Sequence, residues 1–250
     1  MVSALRTRSA VRDPITLLDT SVELADARRH VCAQFHNDQL ELTIEDFGHA
    51  RLDASGIVRM DCQESIDPVL LNTVLFGPLL LPVLSYSGQY CLHASAIESP
   101  HGVIAFCGHS GAGKSTMARL LRQRGWQRVA DDQLMIVSDD GHIAPFPQYK
   151  TPGSSDATTR SLRAIIELTP SPKTAYKLNA VGRAQTAILL AQHTCAVDLF
   201  PPAQRQQHTR WAATLGSKLH CRRLSFEHNL QGIDDLIDAL DRDCKHMLAC

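Results

Sequence analysis

A chain of 250 residues with 44% hydrophobic content and a formal net charge of −1 has enough apolar material for a buried core and too much for a largely disordered protein. That length suits one full domain, or a small domain joined to a larger one. The 25 basic and 26 acidic residues form no block of one sign, which excludes the electrostatic footprint of a duplex-binding protein. No nucleic-acid partner is therefore expected.

In chain order, Arg6, Arg8 and Arg12 are followed by no apolar stretch of the signal-peptide kind. The alternation in Leu40-Glu41-Leu42-Thr43-Ile44 and Gly56-Ile57-Val58-Arg59-Met60 predicts a small antiparallel sheet. Residues 69–84 are the most hydrophobic stretch, interrupted by Asn72, Thr73, Gly77, Pro78 and Pro82. They fall short of the roughly 20 residues of a spanning helix, so no membrane partner is expected. They read instead as one or two buried helices broken at Gly77-Pro78. Residues 1–87 are thus expected to form a small α+β module, with a larger α/β domain over residues 88–250.

Residues 90–97 read as a strand. Ser99-Pro100-His101-Gly102 then turns the chain into a second strand, Val103-Ile104-Ala105-Phe106-Cys107, making a hairpin. A helix follows from Lys114, with Met117, Leu120 and Leu121 at helical spacing. Strands are expected at residues 127–130 and 134–137, and the Pro-, Gly- and Ser-rich residues 146–159 predict a long loop beside the site. Further strands are expected at residues 163–168, 176–178 and 219–226. Helices are expected at 182–193, 203–215 and 230–248, the last with Ile233, Leu236, Ile237 and Leu240 as its apolar stripe. Cys32, Cys62, Cys91, Cys107, Cys195, Cys221, Cys244 and Cys250 include no C-x-x-C pair and no Cys/His cluster with ligand spacing. Reduced thiols and a cytoplasmic location follow.

The sharpest chemical signal is Gly108, His109, Ser110, Gly111, Ala112, Gly113, Lys114, Ser115 and Thr116, which matches G-x-x-x-x-G-K-[ST] between a strand and a helix. Glycines let the backbone wrap phosphate oxygens, and its N–H groups and the helix N-terminus favour negative charge. Lys114 would reach the β- and γ-phosphates and the Ser115 hydroxyl a magnesium ion, so ATP and Mg2+ are the expected ligands. At His109 the backbone N–H matters more than the ring. Asp131-Asp132 ends the strand after the loop helix, seventeen residues beyond Lys114. A tight return strand would bring these carboxylates beside the γ-phosphate, one supporting metal and the other accepting the proton of an attacking hydroxyl. His93, near the end of its strand, could orient one of them or share its proton; a structural histidine is the equal alternative.

His93-Ala94-Ser95, the loop at residues 108–116 and the run from Arg124 through Val129-Ala130-Asp131-Asp132 together resemble the catalytic domain of HPr kinase/phosphorylase. The resemblance covers about residues 88 to 140. It implies a mixed sheet with flanking helices, related to the nucleotide-binding part of phosphoenolpyruvate carboxykinase. It further implies ATP-dependent phosphorylation of a serine on a protein or peptide, with Asp131 or Asp132 as base. Ser115 and one aspartate, taken as Asp132, would lie near magnesium, and a homo-oligomer is raised by the same likeness. The family's glycine-rich signature with its metal-supporting glutamate has no match; Glu167 stands on a strand at a comparable distance. In length and layout the chain is similar to the HPr-kinase-like enzymes of lasso peptide biosynthesis, which phosphorylate the terminal serine of a precursor peptide. On that likeness Lys150 and Arg160 would help capture peptide or phosphate. An HPr-type protein serine kinase, a small-molecule kinase and a non-catalytic ATP-sensing protein stay open as alternatives.

Overall fold

The structure, a computed structural model, describes residues 15–36, 39–99, 102–144, 160–171, 176–227 and 232–249. The expected loop of residues 146–159, with Lys150, lies outside them. Contacts divide the chain into two units: residues 1–86 with 196–202, and residues 87–195 with 203–250. The return of residues 196–202 to the first unit had no counterpart in the sequence reading, which assigned them to the larger domain.

The first unit is a five-stranded antiparallel meander: β1 (Ile15–Leu24), β2 (Ala27–His36), β3 (Gln39–Ile44), β4 (Gly48–Leu52) and β5 (Val58–Cys62). In β3 the side chains of Leu40, Leu42 and Ile44 are buried while Thr43 is exposed, the period of two that a half-buried strand requires. The β1–β2 hairpin escaped the sequence reading. Its turn residues Ala25 and Asp26 have φ of 49° and 57°, a left-handed pair without the Asn-Gly or Asp-Gly signal that usually marks it. An irregularity between Thr16 and Leu18 also breaks the alternation in β1. Gly48 opens β4 at φ +116°, and an added Cβ there would stand 2.3 Å from the Asp61 carbonyl oxygen. Gly48→Ala is therefore expected to cost about 2–3 kcal/mol, read as a lower urea midpoint with an unchanged slope.

The apolar stretch is not broken at Gly77-Pro78. Helix α1 (Pro68–Val74), capped by the Asp67 carboxylate on the Val69 N–H, runs through a π-helical turn (Leu75–Leu79) into α2 (Leu80–Tyr86). The Leu80 N–H reaches back to the Leu75 carbonyl, and this wider turn takes in Pro78, which has no N–H to donate. The helical run spans 19 residues at mean hydropathy 1.8, long and apolar enough to cross a membrane by those two measures. Its apolarity has a local use, because Leu70, Val74 and Leu79 are buried in one cluster with Val31, Leu42 and Phe47 of the meander. Leu199 of the 3-10 turn Val197–Leu199 joins the same cluster.

The second unit is built on a nine-stranded mixed sheet. Its strands are β6 (Tyr90–His93), β7 (Ser95–Ser99), β8 (Gly102–Cys107), β9 (Gln127–Ala130), β10 (Gln133–Ile136), β11 (His142–Ala144), β12 (Arg160–Pro170), β13 (Tyr176–Ala180) and β14 (His220–Phe226). Strand β12 lies between β8 and β14, parallel to both, and β7 pairs antiparallel with β8 and β9. The helices are α3 (Lys114–Arg122), α4 (Arg183–His193), α5 (Pro202–Gly216) and α6 (Ile233–Ala249). Met117 and Leu121 of α3 and Leu236, Ile237 and Leu240 of α6 share one buried cluster with Ile104, Phe106, Ile166 and Leu224 of the sheet. Each such side chain contributes about 1.5–3 kcal/mol by leaving water. Trp126 pins α6 in place, its indole N–H donating to Asp241 at 2.7 Å, and Arg124 ion-pairs with Asp234 and Asp238.

The buried His208 of α5 stacks against Trp211 and meets the Tyr90 ring at a tilt of 58°, and its Nε2 lies 2.9 Å from the Thr194 hydroxyl. Burial disfavours the imidazolium and pushes the His208 pKa down from 6.5 to about 4. A folded-state pKa below the unfolded one means the unfolded chain binds the proton first. The His208 contribution is therefore full above pH 6.5 and lost as pH falls toward 4, on the order of 3 kcal/mol in all. The stability difference between wild type and His208→Gln is expected to narrow over that window, measured by urea titration at successive pH values.

Candidate functional site

Two strands change partners side by side, and the site residues sit at that change. The expected single strand over residues 90–97 is interrupted at Ala94. Before it β6 pairs with β10; after it β7 pairs with β8 and β9. Opposite, β9 ends at Ala130 and β10 begins at Gln133, so Asp131 and Asp132 form the corner between them. The Ala94 N–H donates to the Asp132 carbonyl at 3.2 Å and locks the two breaks together. Asp132 turns the corner at φ 77°, a left-handed conformation that aspartate tolerates better than most residues.

Below this corner β8 feeds the glycine-rich loop, which lies at the carboxyl ends of parallel strands β8 and β12, where open α/β sheets place their ligands. Gly108, Gly111 and Gly113 have φ of 150°, 78° and 96°. At Gly108 a Cβ would stand 3.0 Å from the Leu168 carbonyl oxygen, so close strand contact as well as loop shape calls for glycine. Helix α3 starts at Lys114, which is only 8% exposed. Its ammonium donates to the carbonyls of Gly108 at 2.9 Å and His109 at 3.2 Å.

Asp131 is held from three sides. Its Oδ1 accepts from the Ser115 hydroxyl at 2.7 Å and from the buried Ser95 hydroxyl at 2.9 Å. Its Oδ2 lies 3.2 Å from the Arg128 guanidinium. Burial alone would raise the Asp131 carboxyl, but the hydroxyls of Ser115 and Ser95 and the charge of Arg128 together hold it below its ordinary range. Asp132 faces elsewhere: its Oδ1 is 3.0 Å from His93 Nδ1, and its side chain is 63% exposed. Of the two aspartates, Asp131 lies against Ser115, while Asp132, the one expected near magnesium, lies against His93.

A cleft of about 340 Å³ runs beside the loop, lined by residues 108–112 with Glu167, Thr169 and His193. Glu167 stands level with Cys107 in the β8–β12 register and forms an ion pair with Arg223 at 2.6 Å. Burial lowers the His193 pKa. Arg160 pairs with Glu98 at 2.9 Å. Ser95 and Arg128 went unassigned in the sequence. Ser95 carried a faint signal, standing two residues after His93, but its contact with Asp131 needs the strand pairing of β7 with β9. Among the described residues no group of three or more His, Cys, Asp or Glu could hold a metal by itself. Ser115 Oγ and Asp131 Oδ1 form a hard oxygen pair of the kind that shares magnesium with substrate phosphates.

No protein-family model and no curated protein matches this sequence. Among solved structures the chain is similar to the HPr(Ser) kinase/phosphatase from Coxiella burnetii, over 64% of this chain and 92% of that one, at 14% identity and a TM-score of 0.32. A likeness at that level carries no residue-by-residue correspondence.

Proposed function

We propose that this protein is an ATP-dependent serine kinase acting on a peptide or protein in the cytoplasm, with the C-terminal serine of a ribosomally made precursor peptide as the favoured acceptor. The observation that carries the reading is the Asp131–Ser115 hydrogen bond of 2.7 Å at the mouth of a glycine loop with an adjoining second carboxylate. Nucleotide binding alone would not require that second carboxylate. The loop N–H groups and Lys114 bind the β- and γ-phosphates of ATP. Ser115 and Asp131 would hold Mg2+, which when bound would supply positive charge to the phosphate oxygens. Asp131 already accepts two hydroxyl hydrogen bonds and a guanidinium contact, so it serves better as a fixed anion than as a proton acceptor. Asp132, exposed and oriented by His93, takes the base role. The acceptor oxygen bonds to the γ-phosphorus as the bond to the β–γ bridging oxygen breaks. The hydroxyl proton passes to Asp132, and ADP leaves. Catalysis rests on positioning and electrostatic stabilisation.

Incubation with γ-labelled ATP, Mg2+ and a peptide ending in serine is expected to label the peptide and release ADP in equal amount. Label confined to a metabolite, or ADP release without any labelled acceptor, overturns the reading.

A further inference from the structure

A second cleft, of about 180 Å³, opens on the α3 flank of the site and is lined by Ser115, Thr116, Arg119, Arg122, Arg128 and Asp131. Three arginines from two elements, α3 and β9, therefore line one small space. Arg122 and Arg128 also line a wider cleft of about 450 Å³ with Gly125, Trp126 and Gln127, so the cationic surface continues away from the site. Arg128 is ion-paired with Asp131 at 3.2 Å. Arg119 and Arg122 have no carboxylate within ion-pair distance among the described residues, whereas Arg124, Arg160 and Arg223 are each matched with an acid. Position in the last turn of α3 explains a positive charge by the helix dipole. It does not explain why they share a cleft with Arg128 from another strand, where Asp131 is the one acid in the lining and is already paired with Arg128, so that two positive charges are left over.

We infer that this cleft is an acceptor subsite that binds carboxylate groups of an acidic peptide next to the phosphorylated serine. The inference rests on the kinase reading for its acceptor and adds the side chains the acceptor must carry. Arg119 and Arg122 lie four and seven residues beyond Ser115, about 6 and 10 Å along the helix axis. An extended peptide advances about 3.3 Å per residue. The carboxylates therefore belong about two to three residues from the acceptor serine, as acidic side chains on its N-terminal side when that serine ends the chain. Arginine suits this task, because its planar fork meets a carboxylate with two parallel hydrogen bonds.

The test is fluorescence anisotropy with a labelled peptide whose serine is flanked by Asp and Glu, beside its Asn/Gln and Lys counterparts, at low and high salt. The acidic peptide is expected to bind the wild-type protein at least about tenfold tighter than the neutral one, an advantage that salt erodes. R119E/R122E is expected to reverse the order in favour of the Lys peptide, and R119K/R122K to keep the wild-type order. Reversal of preference is a gain that misfolding cannot produce. Equal binding of acidic and neutral peptides by wild type, or an unreversed preference in R119E/R122E, overturns the inference. Acidic preference without phosphate transfer overturns the kinase reading and leaves the subsite standing. Transfer to serine without the preference does the opposite.

Discussion

Asp132→Asn is expected to lower kcat for phosphoryl transfer about 10²–10⁴-fold, the usual worth of a positioned base, with ATP affinity largely retained. The amide keeps the shape of the side chain and its place beside His93, 3.0 Å away, but cannot take the acceptor proton. Asp131→Asn is expected to lose transfer by a different route. Its carboxylate accepts the Ser115 and Ser95 hydroxyls, and neutralising it weakens the hold on Mg2+, so the magnesium needed for half-maximal rate rises. Steady-state kinetics across a magnesium series separates the two. A raised magnesium requirement in Asp132→Asn, with none in Asp131→Asn, exchanges the two roles. Unchanged transfer in both would falsify the catalytic assignment altogether.

Lys114→Ala is expected to remove ATP binding and transfer together, with kcat/KM for ATP down at least about 10²–10³-fold, as for loss of one preorganised electrostatic group. The ammonium is buried and lies against the carbonyls of Gly108 and His109. Its loss removes the positive charge of the loop and leaves those two acceptors without their donor. Calorimetric titration with ATP reads the binding loss, and the Asp132→Asn protein is the control that keeps it. ATP binding by Lys114→Ala at wild-type affinity would show that the loop is not the nucleotide site.

Several parts of the molecule were legible in the residues alone. The glycine loop was, because its conformation depends on glycines and a lysine within nine positions. The amphipathic α6 was, because a stripe at helical spacing is a local pattern that needs only a sheet to cover it. The helical run through Gly77-Pro78 was misread for the opposite reason. Proline breaks a regular α-helix locally, and the π-turn that absorbs it, with the Leu80 N–H on the Leu75 carbonyl, has no composition of its own. The β1–β2 hairpin was missed because a turn of Ala25 and Asp26 and an irregular β1 carry no strong local preference.

The sequence by itself determined the loop, the lysine, the hydroxyl at Ser115 and the presence of two neighbouring carboxylates a short helix and strand away. Only the tertiary structure decided which carboxylate meets which partner. That choice depends on the strand exchange at Ala94, the left-handed turn at Asp132 and the pairing of β7 with β9. These turn adjacent aspartates in different directions, one to Ser95, Ser115 and Arg128 and the other to His93. Adjacent residues share a sequence environment but face different neighbours once folded, so their chemistry separates only in three dimensions.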